Sequence, residues 1–272
     1  MSDATQETRQ ESPMKHGIAK LFTGEKSRKA LIGVLSVVCG VVLWHLIAMR
    51  TSPLFLPSPM TVAKTSAEMI ADGSLFVAIG ASAWRIAAGW VMGVVLGVPL
   101  GLLMGRFNVV RLIVDPYIEF FRFIPPIAFV TLAVIWFGPG EFTKIVLIFY
   151  TTIFIVTINT IAGVSAVNPL RLQAARSMGA TKLTEMTTVI FPSAVPFMIT
   201  GARIAMGNSF LTVVSAEIVS AQTGLGAMIW TARNFGRTDW VFVGIISLGI
   251  LGYLFDRAFR LASQKWFKRF LF

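Results

Sequence analysis

The sequence predicts an all-α integral membrane protein with about six transmembrane helices. Of its 272 residues, 55% are hydrophobic and only 14% charged. Mean hydropathy is +0.74, and the apolar residues collect in runs long enough to cross a bilayer, which takes roughly 20 residues at about 1.5 Å of rise each. Soluble domains run near 45–50% apolar and about 25% charged. A soluble enzyme with a rich core is therefore excluded, because such a fold would be left with large exposed apolar patches.

Residues 1–29 read as a polar cytoplasmic tail, with a short interfacial helix near 18–22. The first span, 30–49, is not read as a cleavable signal: the tail before it mixes both charge signs, and no small-residue cleavage pattern follows. Its one acidic or basic residue is His45, expected to be a hydrogen-bonded interfacial histidine. Cys39 is the only cysteine of the chain, so no intrachain disulfide or cysteine-based metal site is expected. With only His16 and His45 as histidines, no metal site and no catalytic cluster are expected.

The second span is 76–105. The third, 127–138, is short and follows Pro125 and Pro126, which predicts a broken or tilted helix. Spans four, five and six are 143–164, 191–213 and 240–254. They complete a transmembrane domain over 30–262 with a loop at about 165–190, followed by a basic cytoplasmic tail, 263–272.

Net charge is +11, from 24 Lys and Arg against 13 Asp and Glu. A basic surplus suits nucleic acid or basic cytoplasmic loops, and its distribution decides. Arg9, Lys15, Lys20, Lys26, Arg28 and Lys29 precede span one. Arg106, Arg111 and Arg122 follow span two, Arg171, Arg176 and Lys182 follow span four, and Arg257, Arg260, Lys265, Lys268 and Arg269 follow span six. The opposite side holds Arg50, Lys64, Lys144, Arg233 and Arg237. Seventeen against five places both termini in the cytoplasm. The surplus is a topology signal, and no nucleic-acid partner is expected.

In span two, Gly89, Gly93, Gly97, Gly101 and Gly105 recur every four residues. They form one slowly winding stripe without side chains, which lets another helix approach closely. Pro99 in the same helix is a candidate kink and flex point. Arg203, about twelve residues into span five, is costly in lipid unless paired or hydrated. It either faces a translocation path and meets an anion, or makes a structural pair. Arg85 is a second candidate for the path, or snorkels at the outer boundary. Glu217 pairs with one of these arginines or has a gating role.

In the loop, Asn168 suits an N-cap, Pro169 the first helical position and Gly179 a left-handed stop, which predicts a helix of about ten residues. Leu170, Ala174 and Met178 share one face, while Arg171 and Gln173 look elsewhere. A second short helix over 182–189 is expected before Phe191 and Pro192 open span five. Such a capped helix either seats in a groove on another protein or lies inert on the membrane.

Gln173-Ala174-Ala175, three residues, Gly179, nine residues, then Val189-Ile190-Phe191-Pro192 resembles the "EAA" loop of ABC-importer permeases. That pattern reads Glu-Ala-Ala, three residues, Gly, nine residues, Ile, any residue, Leu-Pro. The Gly and Pro spacing matches in full; Gln173 replaces Glu and removes a charge, and Val189 and Phe191 are conservative departures. The stretches 52–59, 121–126, 135–141 and 201–203, with Ala216, Glu217 and 224–226, resemble the nitrate/sulfonate/taurine branch of binding-protein-dependent type I importers. The resemblance covers roughly 52–260.

It implies a type I ABC importer permease fold with cytoplasmic coupling helices, in a bacterial inner membrane. It further implies a second copy of this chain, two ATP-binding cassette subunits and a periplasmic or lipid-anchored substrate-binding protein, all in membrane lipid. Leu172, Gln173, Ala174, Ala175, Met178, Gly179 and Ala180 would contact the ATPase. ATP and Mg would be bound by that partner, since this sequence has no Gly-x-x-x-x-Gly-Lys-Ser/Thr loop to cradle phosphates. The implied solute is a small anion such as a sulfonate, taurine, nitrate or a related organic acid. Loops 222–239 and 52–72, with Trp230, Asn234 and Trp240, are candidates for meeting the binding protein.

Two other classes make different demands. An ion-coupled secondary transporter would use buried carboxylates at the midplane, often in inverted repeats, whereas the glycine stripe has no second copy. A membrane enzyme would need a nucleophile with a base, or a metal cluster, and His45 alone supplies neither.

Overall fold

A computed structural model describes residues 25–268, and every regular element among them is a helix. The interfacial helix expected near 18–22 lies outside the described residues. In chain order the helices are α1 (Glu25–Ala48), α2 (Pro59–Ala71), α3 (Ser74–Arg106), α4 (Asn108–Phe121) and α5 (Pro126–Phe137). They continue with α6 (Glu141–Ser165), α7 (Pro169–Ser177), α8 (Lys182–Ser220), α9 (Leu225–Asn234) and α10 (Thr238–Trp266). Of these, α1, α3, α6, α8 and α10 are long and apolar enough to cross a bilayer, and α4 with α5 makes a sixth if the bent pair is one span.

The chain divides after Thr61 into two units. In the first, the Trp44 indole N–H donates to the Pro57 carbonyl at 3.1 Å, fixing the turn that follows α1. Leu35, Val37, Val38 and Leu46 of α1 are exposed, as lipid-facing side chains are.

In the second unit, α3 and α6 lie side by side and parallel. Gly89 stands against Ile148, Gly93 against Thr152, Gly97 against Val156, Gly101 against Thr160 and Gly105 against Val164. A Cβ on Gly89, Gly101 or Gly105 would come within 2.6 Å of the facing Cβ, so only glycine allows this separation. The Thr157 hydroxyl adds a bond to the Gly97 carbonyl at 3.2 Å.

Two parallel neighbouring spans need a return crossing between them, and α4 with α5 supplies it, bent by 101°. The expected third span, 127–138, is therefore only the second limb of a broken span. Arg111 and Arg122, expected in a connection, sit on α4 and at its C-cap, in ion pairs with Asp115 (3.7 Å) and Glu119 (2.9 Å). The break follows from proline chemistry: Pro125 is extended at φ −61°, ψ 141°, the conformation that a following proline imposes. Tyr150 of α6 donates its hydroxyl to the carbonyl of Phe121 at 2.5 Å, a second bond to that acceptor beside the Ile124 amide, and so ties the end of α4 to α6 at the break.

α8 runs antiparallel to α6. Gly163 meets Ala194 and Phe197, Gly201 meets Asn159, and the hydroxyls of Thr152 and Ser209 lie 3.2 Å apart. Ile86, Ile148 and Val213, all fully buried, join α3, α6 and α8 at their centre. The Trp90 indole ties α3 to α8 by donating to the Ala202 carbonyl at 2.8 Å. α10 packs on α8 through the edge-to-face pair Phe210–Phe255 at 5.7 Å.

Several expected boundaries move. The helix expected over 182–189 is continuous with the fifth span, which runs on to Ser220 instead of Val213. Its residues Glu185–Ile190 form a wide π turn. That wider turn, directly ahead of Phe191 and Pro192, accommodates a ring that a regular turn would press against its own carbonyl. The sixth span likewise outlasts residue 254, reaching Trp266, because α10 continues as an amphipathic helix after its apolar run ends. α1 begins at Glu25, inside the expected 1–29 tail.

Candidate functional site

The loop between α6 and α8 is built by its caps. Asn168 accepts the Leu170 amide at 2.9 Å, and Pro169 fills the first helical position, where no amide is needed. Gly179, at φ +82°, takes the left-handed conformation that ends α7. Thr181 accepts the Thr184 amide at 3.2 Å and starts α8.

A helix of nine residues has an inner and an outer face. Leu172 packs against the cluster of Val164, Val167, Ile190 and Ala194, and Ala175 is buried. These two, grouped on sequence grounds with the docking residues, are turned into the bundle. Gln173, Ala174, Met178 and Gly179 are exposed and Ala180 is half-buried. Leu170, Met178 and Leu183 are 69%, 82% and 74% exposed, an apolar outer face on a polar loop.

Glu185, which sequence reasoning passed over, is buried beneath α7. Arg176 of α7 donates to it at 2.8 Å, and Arg106, the last residue of α3, donates at 2.8 Å. The Glu185 carboxylate, by hydrogen bond and charge, raises the Arg176 guanidinium above its ordinary range. A cation nine residues before a lone loop carboxylate was the available signal.

At the opposite end of the bundle, Arg85 is buried at 2% exposure instead of snorkelling at a boundary. Its guanidinium donates to Glu217 at 2.7 Å, to Glu141 at 2.5 and 2.7 Å, and to the Thr223 carbonyl at 2.6 Å. Lys144 donates to Glu141 at 2.9 Å. Glu217, fully buried, also accepts the Ser82 hydroxyl at 2.8 Å and the Gly226 amide at 2.8 Å, while Ser82 accepts the Leu225 amide at 2.9 Å. Two cations balance two anions, and the donors fix the chain just before and at the start of α9. Gly224 is required there: its φ is +126°, and a Cβ would strike the Glu217 carboxylate.

Arg203 pairs elsewhere. It grips Asp256 of α10 in a two-bond fork at 2.6 and 3.0 Å, and Arg260 adds a bond to the same carboxylate at 3.0 Å. All three side chains are partly exposed and border a cavity of about 490 Å³ with Thr200 and Gln264. Two guanidiniums against one carboxylate leave one positive charge in excess there.

About six spans, an ionic cluster around the buried Arg85 and Glu217 at one end and a capped loop helix at the other define a polytopic helical membrane protein. The chain belongs to the family described as binding-protein-dependent transport system inner membrane component, whose model matches residues 93–268. It is 37% identical to the taurine transport system permease protein TauC of Escherichia coli over 241 residues, covering 86% of this chain and 87% of that one. It is 34% identical to the putative aliphatic sulfonates transport permease protein SsuC of Bacillus subtilis, with 90% of each chain covered. Identity to the nitrate import permease protein NrtB of Synechocystis is 30%, over 85% of this chain and 87% of that one. Among solved structures, an inward-facing conformation of the MetNI methionine ABC transporter matches with a TM-score of 0.59 at 18% identity, covering 69% of this chain and 95% of that chain. The fold is that of a type I ABC importer permease.

Proposed function

We propose that this chain forms the translocation path of an ATP-driven importer for a small anionic solute, and that α7 is the handle by which separate ATPase subunits move it. The observation that carries the reading is the capped α7 and the exposed apolar side chains around it, Leu170 on the helix, Met178 at its C-cap and Leu183 at the start of α8, beside Gln173 and Ala174. An apolar face on a solvated loop is costly unless a partner groove covers it. In this reading both termini and α7 face the cytoplasm of a bacterial inner membrane. A second copy completes the path, two ATP-binding cassette subunits hold ATP and Mg beneath α7, and a periplasmic or lipid-anchored binding protein docks at the end bearing α9. Closure of the ATPase pair moves α7, and rigid-body motion switches the bundle between inward- and outward-facing states.

Arg203 and Arg260 face the path and meet the anion, while Arg85 and Glu217 latch the loop that leads into α9. The solute class rests on the relatives named for taurine, sulfonates and nitrate, supported by the excess positive charge around Asp256.

The test is Ala174→Arg in the importer, isolated with its ATPase and binding protein and reconstituted in vesicles. Uptake of taurine, methanesulfonate or nitrate, whichever the unaltered importer accumulates, is expected to stop while membrane insertion persists. Unchanged uptake and unchanged ATPase assembly remove α7 as the handle, and uptake without ATP moves the chain to the ion-coupled class.

A further inference from the structure

The geometry points to Glu185 as the joint that passes motion of α7 into the bundle, a positioning residue held between Arg176 on α7 and Arg106 at the end of α3. This rests on the reading of α7 as the ATPase handle and goes one step deeper. Glu185 is 3% exposed, and a carboxylate is buried at that level only when cations and hydrogen bonds replace its water. Both of its oxygens are engaged, at 2.8 Å by Arg176 and at 2.8 Å by Arg106, with a second Arg176 contact at 3.4 Å.

The two arginines belong to parts that have different freedom. Arg106 is anchored, because the residue before it, Gly105, is locked against Val164 as the last contact of the α3–α6 stripe. Arg176 is 55% exposed and sits on a nine-residue helix whose other attachments are Leu172, Ala175 and its caps. Glu185 itself opens the π turn, the place along α8 where the helix departs from regular geometry before the span proper. A pull on α7 therefore reaches the α3–α6 pair through Glu185–Arg106 and reaches α8 through the wide turn.

The experiment compares Glu185→Gln, Glu185→Asp and Arg176→Gln in the reconstituted importer, reading solute taken up per ATP hydrolysed. The solute is taurine, methanesulfonate or nitrate, as accumulated by the unaltered complex. Glu185→Gln is expected to keep the ATPase subunits bound and hydrolysing while uptake per ATP falls at least about tenfold. Glu185→Asp should recover most of it. Arg176→Gln, at an exposed side chain that leaves the Arg106 pair in place, should lower it severalfold without loss of assembled complex. Uptake per ATP unchanged in Glu185→Gln, or falling only in step with the amount of assembled complex, overturns the joint. Ala174→Arg, run in parallel, separates the two ideas: if it still abolishes uptake while the Glu185 variants do not, the handle stands and the joint falls.

Discussion

Arg85 donates to Glu217 at 2.7 Å across 132 positions of sequence, and neither side chain is more than 2% exposed. A buried pair of this kind contributes less than its Coulomb energy suggests, but removing one member strands the other charge. Arg85→Met leaves Glu217 and Glu141 without their guanidinium and is expected to cost about 3–5 kcal/mol. The detergent-solubilised protein should show it as a lowered unfolding temperature. Arg85→Met combined with Glu217→Met should recover part of the loss, and an unshifted transition in the single variant would show that the pair does not hold this end together.

The glycine stripe predicts a position-specific penalty. At Gly101 an added Cβ would stand 2.6 Å from the Thr160 Cβ and 2.7 Å from the Thr157 carbonyl, and backbone cannot step aside as a flexible side chain can. Gly101→Ala should destabilise by about 1–3 kcal/mol, the usual cost of overpacking. At Gly207 an added Cβ would meet nothing within 4 Å, so Gly207→Ala should be neutral or mildly stabilising in the same melting assay. Equal behaviour of the two variants would mean that α3 and α6 are not in the close register described.

On α7, the prediction is a split between its two faces. Met178 is 82% exposed, so Met178→Asp should leave stability nearly unchanged while reducing the ATPase that copurifies with the chain. Leu172, packed on Val164, Val167 and Ile190, should behave the other way: Leu172→Ala lowers the unfolding temperature first and affects assembly only through it. Both quantities come from one size-exclusion profile with and without heating.

How far these features were legible in sequence follows from the range of the forces involved. The caps of α7 are local, since Asn168 reaches only to Leu170 and Gly179 acts through its own dihedral angle, so spacing alone located them. The stripe was legible because its period matches a helix, although the partner, α6, was not. Hydropathy found the long spans but misread α4. Its charges Arg111, Asp115, Glu119 and Arg122 pair within the helix and at its end, and counting Arg111 and Arg122 as loop charges hid that helix. The partners of Arg85 lie 56 to 138 positions from it, and Arg106 lies 79 from Glu185, separations at which no local pattern signals a partner; only Arg176, nine residues before Glu185, left a local trace. Only the resemblance placed emphasis on Glu217 and 224–226 together.

Arg203 supplies the test of the path. Its fork to Asp256 is half-exposed, and exposed ion pairs contribute little to stability even in good geometry. Arg203→Gln is therefore expected to melt close to the unaltered chain while uptake of the accumulated anion falls at least about tenfold. The loss should arise because one of the two guanidiniums at this carboxylate disappears and the local excess of positive charge with it. Arg203→Lys keeps the charge but not the planar fork, and should fall between the two. Raised salt should shrink the difference between Arg203→Gln and the unaltered importer, because attraction of the anion is what the charge supplies. A melting point lowered as far as that of Arg85→Met, with uptake reduced only in proportion to folded protein, would instead assign Arg203 to the scaffold.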